Sequence, residues 1–505
     1  MAARALAVSA ALALAFLTLG PVAVVLARAG GFGVLGPGDW QAVCFTLWQA
    51  LLSAAFSVVL AVPVAKAMAR RRFAGRGLLV TLLGAPFILP VIVAVMGLIA
   101  VFGQAGLVNA GLAALGLPTI DIYGVHGVVL AHVFFNLPLA VRMLFSAWQA
   151  VPAEHFRLTA SLGLGGRAQW RVIDGPLIAG VLPGAFTVIF VICLTSFAVA
   201  LTLGGGPRAT TVELAIYQAM RFEFDLGRAA ALAVLQLALA LAAGLVALRV
   251  AGQSGFGAGR DRVVPRWDGQ GPLARIWDSA WIVLAALFLL VPLSTAVLRG
   301  VPGLLLLGPD TLRAAGHSLM VALGSTALCM AWALPLASRR GELLALPAIA
   351  ISPLVLGTGL FLIVRPFMNP FDLALPVTGV VNALMALPFA LRILRPEAEA
   401  VARDYGRLRA TLRMTPLAWL RLIWLPRLRR PMGFAAGLTA ALAMGDLGVI
   451  ALFADPDRTT LPLQVYRLMG SYQMEAAAGA ALLLLMLSLS LFWLFDRGGR
   501  VNAAT

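Results

Sequence analysis

Asp446 is a carboxylate inside an otherwise apolar run. A charge placed in hydrocarbon costs roughly 2.5–3.5 kcal/mol on insertion scales, so such a residue has either a function or a partner. On a translocation path it would attract a cation; otherwise it would accept hydrogen bonds from neighbouring hydroxyls or backbone. Ser196 holds the matching place in another apolar run, and His132, Asn136 and Asn382 lie inside two more. These can line a path or bond across helices. Other chemistries are missing. A phosphate-binding loop needs Gly-Lys-Ser/Thr, so that a lysine reaches the phosphates. The chain has one lysine, Lys66, and Ala67-Met68 follow it. Four scattered histidines, with Cys44, Cys193 and Cys329 far apart in apolar runs, make no metal, thiolate or disulfide framework. No cofactor is expected.

The elements that must position these residues are membrane helices. The chain has 505 residues, 61% hydrophobic and 12% charged, and a mean hydropathy of +0.96. Lipid is therefore its main solvent. Twelve apolar runs lie at 6–27, 42–65, 78–102, 126–148, 178–202, 228–250, 279–298, 314–337, 343–364, 375–394, 432–453 and 475–495. The first is too long for the apolar core of a signal peptide and reads as a retained span. The net charge of +17 would suggest nucleic acid in a soluble chain. Its distribution says otherwise. With the N-terminus in the cytoplasm, 29 of the 38 Lys and Arg fall on the cytoplasmic side and 9 on the other. The positive-inside rule thus gives a multi-pass inner-membrane protein with both termini cytoplasmic, contacting lipid and no nucleic acid.

The chain also repeats itself. Leu137–Arg142 reads LPLAVR and Leu387–Arg392 reads LPFALR, an interval of 250. The same interval relates Arg157 to Arg407, Arg171 to Arg421, Ile173 to Ile423, Pro176 to Pro426 and Arg208 to Arg458. Two halves, 1–250 and 277–505, flank a polar linker at 251–276. Six spans in each give the halves the same orientation, related by an axis along the membrane normal.

Two long charged segments, 151–177 and 401–430, occupy matching places in the halves. Pro152 suits the first position of a helix and Glu154 its positive end. Phe156, Ala160 and Leu162, then Trp170, Val172 and Ile173, offer an apolar face; Tyr405, Leu408, Leu412, Trp419 and Ile423 repeat the plan. Such a helix suits docking into a soluble partner, or rest on anionic lipid.

These segments resemble the EAA loop of ABC-importer permeases: Glu-Ala-Ala, three residues, Gly, nine residues, Ile, one residue, Leu-Pro. Gly163, Ile173 and Pro176 fall at those spacings, as do Ile423, Leu425 and Pro426. The Glu-Ala-Ala positions read Arg157-Leu158-Thr159 and Arg407-Leu408-Arg409, and Arg413 replaces the second glycine. The resemblance implies an all-α membrane protein built of two tandem six-helix type I importer (MetI-like) repeats. It implies two copies of a cytoplasmic ATPase docked at Glu154–Pro176 and Asp404–Pro426, and alternating access driven by ATP that the partner hydrolyses.

A closer resemblance covers Leu201–Met220 (LTLGGGPRATTVELAIYQAM) and Leu461–Leu485. Both are similar to permeases for thiamine, in which a periplasmic binding protein delivers thiamine and its phosphates. Contact with that protein would then fall at Gly205, Gly206, Arg208, Glu213, Asp455 and Arg458, and Asp446 would attract the cationic thiazolium. Fused permeases for ferric iron share the loops. An ion-coupled secondary transporter shares the twelve spans but has no use for the paired loops.

Overall fold

In a computed structural model, residues 2–29, 35–84, 88–206, 209–250, 269, 271–453 and 457–500 are described. Most of the linker, together with Arg208 and Asp455, lies outside them. The first half comprises α1 (Ala2–Arg28), α2 (Pro37–Arg70), α3 (Arg76–Leu82), α4 (Val91–Phe102), α5 (Leu107–Ala114) and α6 (Val125–Ala150). It continues through α7 (Ala153–Ser161), α8 (Gly166–Gln169), α9 (Gly175–Leu194), α10 (Ala198–Leu203), α11 (Val212–Arg221) and α12 (Leu226–Val250). The second half comprises α13 (Pro272–Gly303), α14 (Pro309–Ala333), α15 (Arg339–Ala350), α16 (Pro353–Val364) and α17 (Ala374–Thr411). It ends with α18 (Pro416–Trp419), α19 (Leu425–Met444), α20 (Gly448–Phe453), α21 (Leu461–Gly470) and α22 (Met474–Arg500). Among the described residues, 11 helical segments are long and apolar enough to cross a membrane, and Pro353–Val364 is a shorter apolar helix.

The spans are less continuous than their hydropathy suggests. The run 343–364 is two helices, because Ser352 precedes Pro353 and takes extended backbone (φ −64°, ψ 143°). Proline excludes the α conformation from the residue before it. The run 78–102 divides at the equivalent place, with Pro90 at the head of α4. The fifth and eleventh spans also break, at 195–197 and 445–447. Further on, α13 starts at Pro272, earlier than its apolar run. Its Asp278 receives Arg71 (2.8 Å) and Arg70 (3.6 Å) from the end of α2, so its first turns are held by charge.

The first helix of each half crosses to the other half. α1 packs on α16, and α13 packs on α4. Both crossings place a glycine under a proline. A Cβ at Gly97 would lie 2.3 Å from the Pro292 carbonyl oxygen, and one at Gly359 would lie 2.5 Å from that of Pro21. Without a hydrophobic force between helices in lipid, close backbone approach through small residues supplies the packing.

Gly97→Ala and Gly359→Ala should each destabilise the assembly by about 1–3 kcal/mol, through overpacking. Thermal unfolding in detergent checks this. Gly324→Ala, at an exposed site with nothing within 4 Å, should have no such effect.

Candidate coupling segments and the broken-helix core

Both charged segments lie where a span ends, on the same face of the bundle. In the first, Val151 is extended (ψ 124°) before Pro152, so the span stops and α7 starts anew. Glu154 is exposed in its first turn. Phe156 and Ile173 are buried together, while Leu158 and Leu162 are 58% and 63% exposed. The chain turns away two residues after α7, at Gly163, whose φ is +63°. A short π-helical turn at Trp170–Asp174 then leads into α9, with Pro176 exposed near its start.

The second segment differs at its start. Ala402 stands where the first half has Pro152, so α17 runs unbroken from Ala374 to Thr411. Asp404 is therefore inside a helix, beside Arg403 (3.3 Å), and not in a separate helix's first turn. From there the halves match again. Leu408 and Leu412 are 42% and 62% exposed, and the π-helical turn recurs at Leu420–Trp424. Ile423 and Leu425 are half-buried and Pro426 exposed. Arg413 takes the left-handed φ of +46° that Gly163 takes in the first half. The turn has outlived its glycine, at a steric cost of roughly 1–2 kcal/mol.

The anchoring of the segments differs more. Asp174 is buried: its Oδ2 meets Lys66 Nζ at 2.8 Å and its Oδ1 accepts from Trp148 Nε1 at 2.8 Å. Lys66 also lies 4.7 Å over the Trp170 ring. The repeat puts Trp424 and Ala398 at the positions of Asp174 and Trp148. The second segment instead has Arg409 over Trp419 (5.3 Å), Arg427 on the Tyr405 hydroxyl and Arg395 on Glu342 (2.9 Å). The anchor of the first segment was missed in sequence reading, although a lone lysine at the edge of a span was a usable signal.

Deeper in the bundle, the four breaks meet at the seam between the halves. A Cβ at Gly445 would touch Pro90 (3.0 Å), and one at Gly448 would touch Leu354 (3.1 Å) and Phe197 (3.7 Å). Asp446 Oδ1 accepts from the Gly448 N–H (3.2 Å), capping α20, while its Oδ2 has no hydrogen-bond partner. Ser352 Oγ accepts from the Leu354 N–H (3.1 Å), capping α16. Where α9 stops, just before Ser196, its last carbonyls are taken by two buried glutamines. Gln49 donates to Cys193 O and Gln236 to Leu194 O, both at 2.9 Å. Neither glutamine was singled out from the sequence.

His132, Asn136 and Asn382 are buried, and each meets another helix, Asn136 by donating to Cys193 Sγ of α9 (3.5 Å). His132 Nδ1 lies 3.2 Å from Ser53 Oγ. Asn136 donates to His132 O (2.9 Å) and Asn382 to Ala443 O (3.4 Å).

On the opposite face, Gly205 and Gly206 are exposed with φ of +70° and +128°. A Cβ at Gly205 would lie 2.9 Å from that of Tyr123. Arg458 pairs with Asp372 (2.8 Å). Glu213, expected on this surface, is fully buried (0% exposed). Its helix, α11, packs between α2 and α12 of its own half and α16 and α20 of the other.

No family profile matches the chain. Individual relatives do. It is 40% identical to the thiamine transport system permease ThiP of Brucella melitensis, over 97% of this chain and 95% of the relative. It is 38% identical to ThiP of Escherichia coli K12, over 91% of this chain and 89% of the relative. The chain belongs to the thiamine transport system permease family. This permease also shares 31% identity with the molybdenum permease ModB of Mycobacterium bovis, over 44% of this chain but 82% of that one. The MetI-like importer fold and the multi-pass inner-membrane location follow.

Two changes test how the permease holds its segments. Lys66→Met strands a buried carboxylate and should cost about 3–5 kcal/mol, with the double change Lys66→Met/Asp174→Leu recovering much of it. Tryptic cleavage at Arg157 and Arg167 reports the loosening. Arg413→Gly should stabilise the second segment by about 1 kcal/mol, raising the unfolding temperature in detergent, whereas Gly163→Arg lowers it.

Proposed function

We propose that this permease is the translocation subunit of an ABC importer for thiamine and its phosphates. Two copies of a cytoplasmic ATPase dock on α7 and on the end of α17, and both termini are cytoplasmic. The observation that carries this reading is the pair of exposed leucines four residues apart, Leu158/Leu162 and Leu408/Leu412, presented twice on one face. The same side chains at the same spacing suit identical grooves, and the thiamine permease relatives extend over nearly the whole chain. A periplasmic binding protein meets the opposite face, at Gly205, Gly206 and Arg458 together with Arg208 and Asp455.

ATP-driven closure of the ATPases rocks the halves through these segments. The substrate passes along the seam that holds Asp446, Ser196, His132, Asn136 and Asn382 when the halves part. Hydrolysis belongs to the partner, since the lone lysine has no phosphate loop around it.

The deciding measurement is uptake of radiolabelled thiamine in cells lacking this chain, with and without its restoration. Uptake only on restoration is the expected result; none, with the protein in the membrane, would move the substrate to another class such as ferric iron. In restored cells, Leu158→Glu should lower uptake at least about tenfold by breaking apolar docking, with Leu408→Glu following. If both leave uptake unchanged, the proposed docking face is wrong.

A further inference from the structure

Glu213 is a fully buried carboxyl at the seam between the halves. Its Oε1 accepts from Gln236 Nε2 at 3.0 Å, and the Ser352 hydroxyl of the other half faces it. Its Oε2 has no hydrogen-bond partner, nor has the Oε1 of Gln236, which is buried as completely. Among the described residues no Lys, Arg or His pairs with it. The site thus holds leftover acceptors and, among the described residues, no ion-pair partner for the carboxyl; Arg221 and Arg467 act on Tyr217 and not on Glu213. Buried polar groups are ordinarily satisfied, and buried charges are ordinarily paired.

An aromatic cluster gathers on the same helix. Tyr217 follows Glu213 by four residues and so shares its face of α11. Its ring lies 5.3 Å from Phe197 and 5.7 Å from Phe222, edge to face in both pairs. Phe197 belongs to the break that separates α9 from α10. The other half repeats the ring and not the acid: TVELAIYQAM at 211–220 aligns with TLPLQVYRLM at 460–469, placing Tyr466 opposite Tyr217 and Pro462 opposite Glu213. The carboxyl is therefore no requirement of the fold of this element.

We propose that Glu213, with Tyr217 beside it, selects for positive charge on the substrate when the seam opens. This rests on the thiamine reading above and deepens it. A carboxylate next to aromatic faces recognises an organic cation, and an amine on the same molecule would serve the free Gln236 oxygen. Thiamine brings both, a thiazolium ring and an aminopyrimidine. Separation of the halves is the motion that admits it, because α11 packs on α16 and α20 across the seam.

The test uses the full transporter, with its binding protein and ATPase, in proteoliposomes. ATP-driven uptake is measured for thiamine and for an analogue whose thiazolium is replaced by uncharged thiophene. The binding protein is saturated with each ligand, so that its own preference drops out. Glu213→Gln should lower the thiamine rate about tenfold and leave the analogue within about twofold of wild type. Equal loss of both would make Glu213 a purely structural support of α11, and no change in either would also overturn the proposal. If Glu213→Gln does not reach the membrane, Tyr217→Leu and Tyr217→Phe decide. Selective loss of thiamine uptake in the leucine variant alone supports the inference, and any other pattern overturns it. Wild-type liposomes that fail to take up thiamine would remove the thiamine reading itself, and this inference with it.

Discussion

A peptide group that loses its helical partner inside a bilayer finds no water to replace it. This permease breaks four spans at the seam between its halves, and each break is answered by a specific group. Pro90 heads α4 and has no N–H to strand. Ser352 and Asp446 accept from the freed N–H groups of α16 and α20. Gln49 and Gln236 donate to the last carbonyls of α9. The seam can be irregular because these side chains take over the backbone's hydrogen bonds. An irregular seam is also what lets polar groups and aromatic rings reach the interior of the bundle.

The two halves share this plan through duplication, and their differences are as informative as their likeness. Each sends its first helix across to the other, with proline over glycine at both crossings. Each half therefore holds a helix of its neighbour. Toward the two charged segments the symmetry weakens. Pro152 separates α7 from its span, whereas Ala402 lets α17 continue, so the second segment is a rigid extension of the helix that crosses the membrane. The first relies instead on the buried Lys66–Asp174 pair. One segment continues a long helix, and the other is a separate helix held by a charge.

Much was legible without coordinates. Spans are local: a long enough apolar run must be a helix in lipid, wherever its neighbours lie. Charge asymmetry and the 250-residue interval are likewise properties of the string. The two charged segments could be matched to each other because Gly163, Ile173 and the prolines keep their spacing even where Arg413 has replaced glycine. The break before α7 and its absence in α17 were also written there, in Pro152 and Ala402, although only the former was used.

The tertiary structure decided what depends on partners distant in the chain. Hydropathy does not register where a hydrogen bond is handed from backbone to side chain, so the breaks at 195–197 and 351–352 were invisible inside apolar runs. Glu213 follows a glycine-rich turn and reads as surface, and only the packing of α11 against α12 and α16 buries it. Lys66, Asp174 and Trp148 each look ordinary alone. Composition and periodicity specify which solvent a segment prefers, but the charge and hydrogen-bond balance of a buried site is a sum over groups that only the fold brings together.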